Sequence, residues 1–181
     1  MIKAVCFTGH RPDKLGGYYG ERAEKIQNDV FDTLVDVITR AYNNGFHIFI
    51  SGGALGVDQL AAEAVIHLRD EQKMPIRLVI AKPFPSQSCK WPKSAQNKFD
   101  ILCEKADHVF NVSEDPYTPE KMTLRNEWMV NRSGCVVAVW NGCKGGTGNC
   151  VDYARKMYKP IHIINPYTLE ERWELPGKVT W

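Results

Sequence analysis

Apolar positions along the chain fall into two alternating kinds of segment. Short runs rich in β-branched and aromatic residues occur at 3–7, 46–50, 76–81, 109–112, 135–140 and 161–164, and each reads as a β-strand. Between them the apolar residues recur at helical spacing. Ala23, Ile26, Val30, Leu34, Val37 and Ala41 form the stripe of a core-facing helix from about residue 21 to 44, stopped by Asn43-Asn44-Gly45. Val57, Leu60, Ala61, Ala64, Val65 and Leu68 predict a second helix directly after the second strand. Phe99, Leu102 and Ala106 line one side of a third, over about 94–105. A fourth begins at Thr118-Pro119, a capping residue followed by proline at the first helical position, and ends near Arg132. Val151, Ala154 and Met157 mark a fifth.

Strands and helices alternate throughout, without internal repeat, low-complexity tract or dividing linker. Residues 135–140 are apolar on both faces, as in a central parallel strand. The pattern predicts one α/β domain over 1–165, with a mainly parallel sheet and helices on both faces. Residues 166–181 read as a C-terminal tail packed on that domain or extending from it. Ligands of such sheets sit at the carboxyl ends of the strands. Thr8-Gly9-His10-Arg11-Pro12, residues 51–58, Lys82-Pro83 and residues 141–147 all fall at such ends, and are expected to meet at one cleft.

Composition narrows the class only slightly. The 181 residues are 44% hydrophobic with a net charge of +2, the balance of an ordinary globular protein, and too small a charge to argue for nucleic acid by itself. No apolar run approaches membrane-spanning length and the first residues carry no signal core, so a cytoplasmic protein without a membrane partner is expected. The 6 cysteines are scattered, with no Cys-x-x-Cys pair and no histidine at zinc-site spacing. No metal site and no required cofactor are expected.

The candidate chemistry lies in the glycine loops. Ser51-Gly52-Gly53-Ala54-Leu55-Gly56-Val57-Asp58 joins a strand to a helix, and such a start offers free amide hydrogens to a phosphate or carboxylate. Gly145-Gly146-Thr147 supplies a second start of the same kind, with a hydroxyl. The usual dinucleotide fingerprint is missing, because the loop is Gly-Gly-x-x-Gly and the next strand ends in Lys82, which is placed to face a phosphate, instead of an acid for a ribose diol. Neither loop continues into Gly-Lys-Ser/Thr, so a P-loop is excluded in its usual form.

Thr8-Gly9-His10-Arg11-Pro12, the Ser51 to Asp58 loop, Arg125-Asn126-x-x-Met129-Val130, and Asn141-Gly142-x-x-Gly145-Gly146-Thr147 with Tyr153-Ala154 resemble, in that order, the YpsA-type branch of the SLOG superfamily. That superfamily also holds the LOG phosphoribohydrolases and the DNA-processing protein DprA. The resemblance implies a Rossmann-like fold that binds a nucleotide or nucleotide-derived ligand such as ADP-ribose, NAD or a nucleoside monophosphate, as a sensor or accessory protein. On that basis Thr8, Gly9, His10, Arg11, Ser51, Gly52, Gly53, Gly56, Asp58, Lys82, Arg125, Asn126, Asn141, Gly145, Gly146 and Thr147 are the expected ligand-binding residues. Homo-oligomers are expected from the relatives.

In the LOG branch an arginine before the last glycine loop and a glutamate after it serve hydrolysis of an N-glycosidic bond. Arg125 matches the arginine, but Cys150 stands where the acid is expected. Such cleavage builds positive charge on the sugar and calls for a carboxylate, so Asp58 becomes the substitute catalytic candidate beside Arg125. Binding protein and hydrolase thus stay open, and single-stranded DNA binding, which the DprA relationship allows, is the least favoured reading. Lys90-Trp91-Pro92-Lys93 is the basic-aromatic patch that would serve it.

Overall fold

The computed structural model describes residues 3–177; residues 1–2 and 178–181, the outermost parts of the domain and tail assigned from sequence, lie outside the described residues. The strands β1 (Ala4–Gly9), β2 (Ile48–Ser51), β3 (Arg77–Lys82), β4 (His108–Asn111), β5 (Cys135–Val139), β6 (Ile161–Ile164) and β7 (Glu171–Glu174) form one sheet in the order β4-β3-β2-β1-β5-β6-β7. Every pairing is parallel except that of β7 with β6. The helices are α1 (Glu21–Asn43), α2 (Val57–Asp70), α3 (Lys93–Lys105), α4 (Pro119–Asn131) and α5 (Gly146–Lys156).

Strand alternation sorts the core into two layers. Val5, Phe7, Phe49, Leu78, Ile80, Val137 and Val139 pack with buried residues of α1, α2 and α3. Their sequence neighbours Ala4, Cys6, Ile50, Val79, Ala81, Val136 and Ala138 point the other way, against Met129 and Val130 of α4 and Cys150, Val151 and Ala154 of α5. All five residues of β5 are buried, as a central strand covered on both faces requires. This is the α/β, Rossmann-like, mainly parallel architecture that the alternating pattern and the family resemblance implied.

The order has one functional consequence. From β1 the chain winds outward through β2, β3 and β4, then returns to place β5 on the other side of β1. The connections beyond β1 and β5 therefore leave in opposite directions, and a crevice opens between them.

Residues 171–174, read from sequence as part of a tail, form the antiparallel edge strand β7. Their hydropathy gives no strand signal because both edges of this strand's pleat are wet. What holds it is tertiary: Trp173 stacks on His162 with ring centroids 4.4 Å apart, Glu171 Oε2 lies 2.7 Å from His162 Nε2, and Arg155 pairs with Glu174 at 2.8 Å.

Tight approach of α2 to the end of β1 depends on glycine at one turn. Gly56 has φ +96°, and a Cβ there would meet the His10 carbonyl oxygen at 2.4 Å. Gly142 has φ +89° with nothing within 4 Å. Alanine at Gly142 is expected to cost only the backbone strain, about 1–3 kcal/mol, whereas Gly56→Ala adds a backbone clash and costs more. Urea unfolding of the two variants side by side measures the difference.

Candidate functional site

The crevice is built from the loops after β1 and β5. Thr8 and Gly9 end β1, and His10 and Arg11 lead into a short turn at Pro12–Lys14. Two side-chain contacts fasten this turn to the opposite loop. His10 Nε2 lies 2.9 Å from Asn141 Oδ1, and Lys14 Nζ lies 3.1 Å from Cys143 Sγ. Asn141 Oδ1 also accepts the Cys143 amide at 3.1 Å, and the Asn141 backbone amide lies 3.3 Å from His10 Nε2, so the ring is held by both the side chain and the backbone of that loop. Burial pulls the His10 pKa down from 6.5.

The two glycine loops differ in what their amides do. In the β2–α2 loop the Gly53 amide donates to Ser51 Oγ at 3.1 Å, the Ala54 amide to Asp58 Oδ2 at 3.3 Å, and the Val57 amide to the His10 carbonyl at 3.1 Å. Three amides of that loop, including the first of α2, are thus taken up by its own chain. At the β5–α5 loop Gly145 occupies the cap position without a side-chain cap, and the first backbone bond of the turn runs from Asn149 to the Gly145 carbonyl at 2.9 Å. The amides of Gly146 and Thr147 therefore point outward from the helix end, the arrangement that favours an anion.

Behind the crevice lies a buried ion pair. Arg125 of α4 reaches Asp58 of α2 at 3.3 Å, with side chains 5% and 10% exposed. Arg125 Nε donates to Asn126 Oδ1 at 3.0 Å. Burial pushes the Asp58 carboxyl up and pulls the Arg125 guanidinium down, while their mutual attraction opposes both shifts. Gly52 makes room for the pair, since a Cβ there would lie 1.4 Å from Arg125 Nη1.

The resulting cleft has a volume of about 250 Å³. Of the sequence-expected residues, Thr8, Gly9, His10, Arg11, Asp58, Arg125, Asn126, Gly145, Gly146 and Thr147 line it. Ser51, Gly52, Gly53, Gly56, Lys82 and Asn141 do not. Ser51 ties the loop to the Asp58 carbonyl at 2.6 Å, Gly53 packs under Phe99, Lys82 sits 5.8 Å above the Phe99 ring, and Asn141 serves the loop closure already described. Ala54, Asp13, Lys14, Met122, Cys143 and Lys144 also line the cleft, although the sequence reading passed over them. Lys14 and Lys144 carry a weak signal, each standing beside a glycine-rich loop; Met122 reads from spacing as a core residue and carries none.

Arg11, Lys14, Arg125 and Lys144 outnumber Asp13 and Asp58 along this lining, so the cleft is electropositive. Cys150, at the position of the missing acid, is 2% exposed; burial pushes its thiol up to about 11, so it is neutral near pH 7 and supplies no negative charge. Among the described residues no group of three or more histidine, cysteine or acidic side chains is placed to hold a metal.

Two stability predictions follow from the buried groups. Arg125→Met leaves Asp58 as an uncompensated buried charge and is expected to cost about 3–5 kcal/mol in urea unfolding, with part of the loss recovered when Asp58→Asn is added. His10 and His162 both have pKa values lowered by burial, so just below 6.5 the unfolded chain binds more protons and stability rises with pH. His10→Gln removes one share of that rise, which flattens the dependence of the urea midpoint between about pH 5 and 6.5.

Comparison with known proteins places the chain in a family and agrees with its fold. Over 145 residues the chain is 35% identical to the uncharacterized SPbeta prophage-derived protein YoqJ of Bacillus subtilis, covering 74% of this chain and 82% of that one. The UPF0398 protein BH1768 of Halalkalibacterium halodurans is 28% identical over 176 residues, covering 93% and 91%. Among solved structures, DNA processing protein A from Helicobacter pylori, described for its single-stranded DNA binding mode, superposes with a TM-score of 0.59 at 18% identity, covering 90% of this chain and 65% of that one. DprA from Streptococcus pneumoniae gives 0.58 at 16% identity, covering 92% and 51%. This chain thus spans less than two thirds of either DNA processing protein, and the likeness is one of fold. The YspA SLOG family matches residues 5–169, nearly the whole of the sheet and the cleft, and the chain belongs to that family.

Proposed function

We propose that the chain binds a nucleotide or nucleotide-derived small molecule, with a phosphate of the ligand at the amino end of α5. The observation that carries this reading is the contrast between the two glycine loops. The first amide of one helix start is bonded to the His10 carbonyl, while those of Gly146 and Thr147 face an electropositive cleft at the sheet's switch point. Arg11, Lys14 and Lys144 add charge around that point, and Thr147 adds a hydroxyl. Family membership and the DprA-like fold support nucleotide or DNA-related binding in general terms.

The hydrolase alternative asks for a carboxylate free to face a cationic sugar. Asp58 is engaged by Arg125 and by the Ala54 amide, and Cys150 is a neutral thiol, so the site favours holding a ligand over cleaving it.

Titration calorimetry with ADP-ribose, NAD and nucleoside monophosphates is expected to give saturable heat with at least one of them; silence from all three, with the protein folded, rejects the proposal. Gly146→Pro deletes one amide donor at a helix position that tolerates proline, and is expected to weaken binding about tenfold. Gly146→Ala retains the donor, meets nothing within 4 Å, and should bind as the parent does. Tighter binding of an oligonucleotide, with a steep loss of affinity in salt, would move the ligand class to single-stranded nucleic acid.

A further inference from the structure

A second cavity adjoins the first and is of different character. Its volume is about 490 Å³, and it shares Arg11 and Met122 with the cleft above. Three aromatic side chains stand in its walls: Phe84, which is buried, Trp91, which leans on Phe99 with centroids 5.3 Å apart, and Tyr117, whose ring meets Phe84 edge-on at 5.8 Å. Tyr117 remains 56% exposed and so keeps surface for a guest to cover.

Gln87 also lines this cavity and is only 8% exposed. Its side-chain nitrogen donates to the Gly52 carbonyl at 3.0 Å. That bond fixes the orientation of the amide, because a flipped side chain would set oxygen against oxygen. The other end, Oε1, is buried and has no hydrogen-bond partner among the described residues. Buried acceptors are rarely left so, and a donor brought by a guest would relieve the cost. A cavity with three aromatic walls and an unpaired acceptor on a lining residue, beside an electropositive cleft, has the chemistry of a nucleobase seat.

We infer that this cavity holds the base of the bound nucleotide, stacked against Tyr117 and Phe84, and that Gln87 Oε1 accepts a hydrogen bond from an exocyclic amino group of that base. The inference rests on the phosphate position proposed above. Arg11, shared by both linings, bridges the base and phosphate ends of the site. The seat selects for bases that carry an amino group, since a base presenting only a carbonyl there sets acceptor against acceptor.

The test compares three probes on the full chain: ribose 5-phosphate, adenosine monophosphate, and the monophosphate of purine riboside, which lacks the amino group. Adenosine monophosphate is expected to bind about tenfold more tightly than the purine riboside compound, and more tightly again than ribose 5-phosphate. Tyr117→Ala, a change at an exposed side chain, should lower affinity for both nucleotides about tenfold and leave ribose 5-phosphate unaffected. Gln87→Leu should abolish the difference between the two nucleotides, and its folding is checked by its retained affinity for ribose 5-phosphate. Equal affinities for all three probes overturn the base seat while leaving the phosphate site intact. Failure of every probe to bind overturns the base seat, and with ADP-ribose and NAD silent as well it overturns both.

Discussion

The buried pair of Arg125 and Asp58 is the interaction around which the carboxyl end of this sheet is arranged. It joins a helix on one face to a helix on the other across the end of β2. Two charges removed from water are costly, and a buried pair is not by itself a source of stability. What it supplies is position. The arginine needs the space above Gly52, the carboxylate collects the Ala54 amide, and Ser51 secures the backbone at Asp58. With those groups fixed, Ala54 and Asp58 form the back wall of the cleft, and Asn126 is carried to its rim by the same helix that delivers the arginine.

Two loops with similar composition thus come to different physical uses. In the first, glycine permits close approach of protein to protein: Gly52 under a guanidinium, Gly53 under Phe99, Gly56 against the His10 carbonyl. In the second, a Cβ at Gly146 would meet nothing within 4 Å, so the space in front of that helix end is open. Glycine-rich sequence signals that something must come near the backbone. Whether that something is another part of the chain or a guest depends on what the fold brings there.

The same distinction underlies the proposal of binding over cleavage. An N-glycosidic hydrolase of the LOG kind relies on a carboxylate near the sugar, and this chain has a thiol in that place, kept protonated by its surroundings. The remaining acid behind the cleft already answers a cation. Charge in the site is left predominantly positive and carried by Arg11, Lys14 and Lys144 near the open helix end, which suits the retention of phosphate.

Much of this architecture is written in the chain. Six strands, five helices and their order follow from periods of two and of 3.6, because burial on a sheet face or a helix stripe leaves a local trace. Ordered motifs likewise identified the family and the loops at the strand ends. The edge strand β7 left no such trace, since its partners His162 and Arg155 lie outside it and both its faces touch water in part. Nor do Met122, Tyr117 or Gln87 announce themselves: each acquires its setting from residues far away in sequence, Gln87 from the Gly52 carbonyl and Tyr117 from Phe84. Local pattern determined which segments form and in what order they must wind. Only the packed fold decided which glycine loop lies against the rest of the chain and which faces the cleft, because backbone packed against protein and backbone beside open space look the same in one dimension.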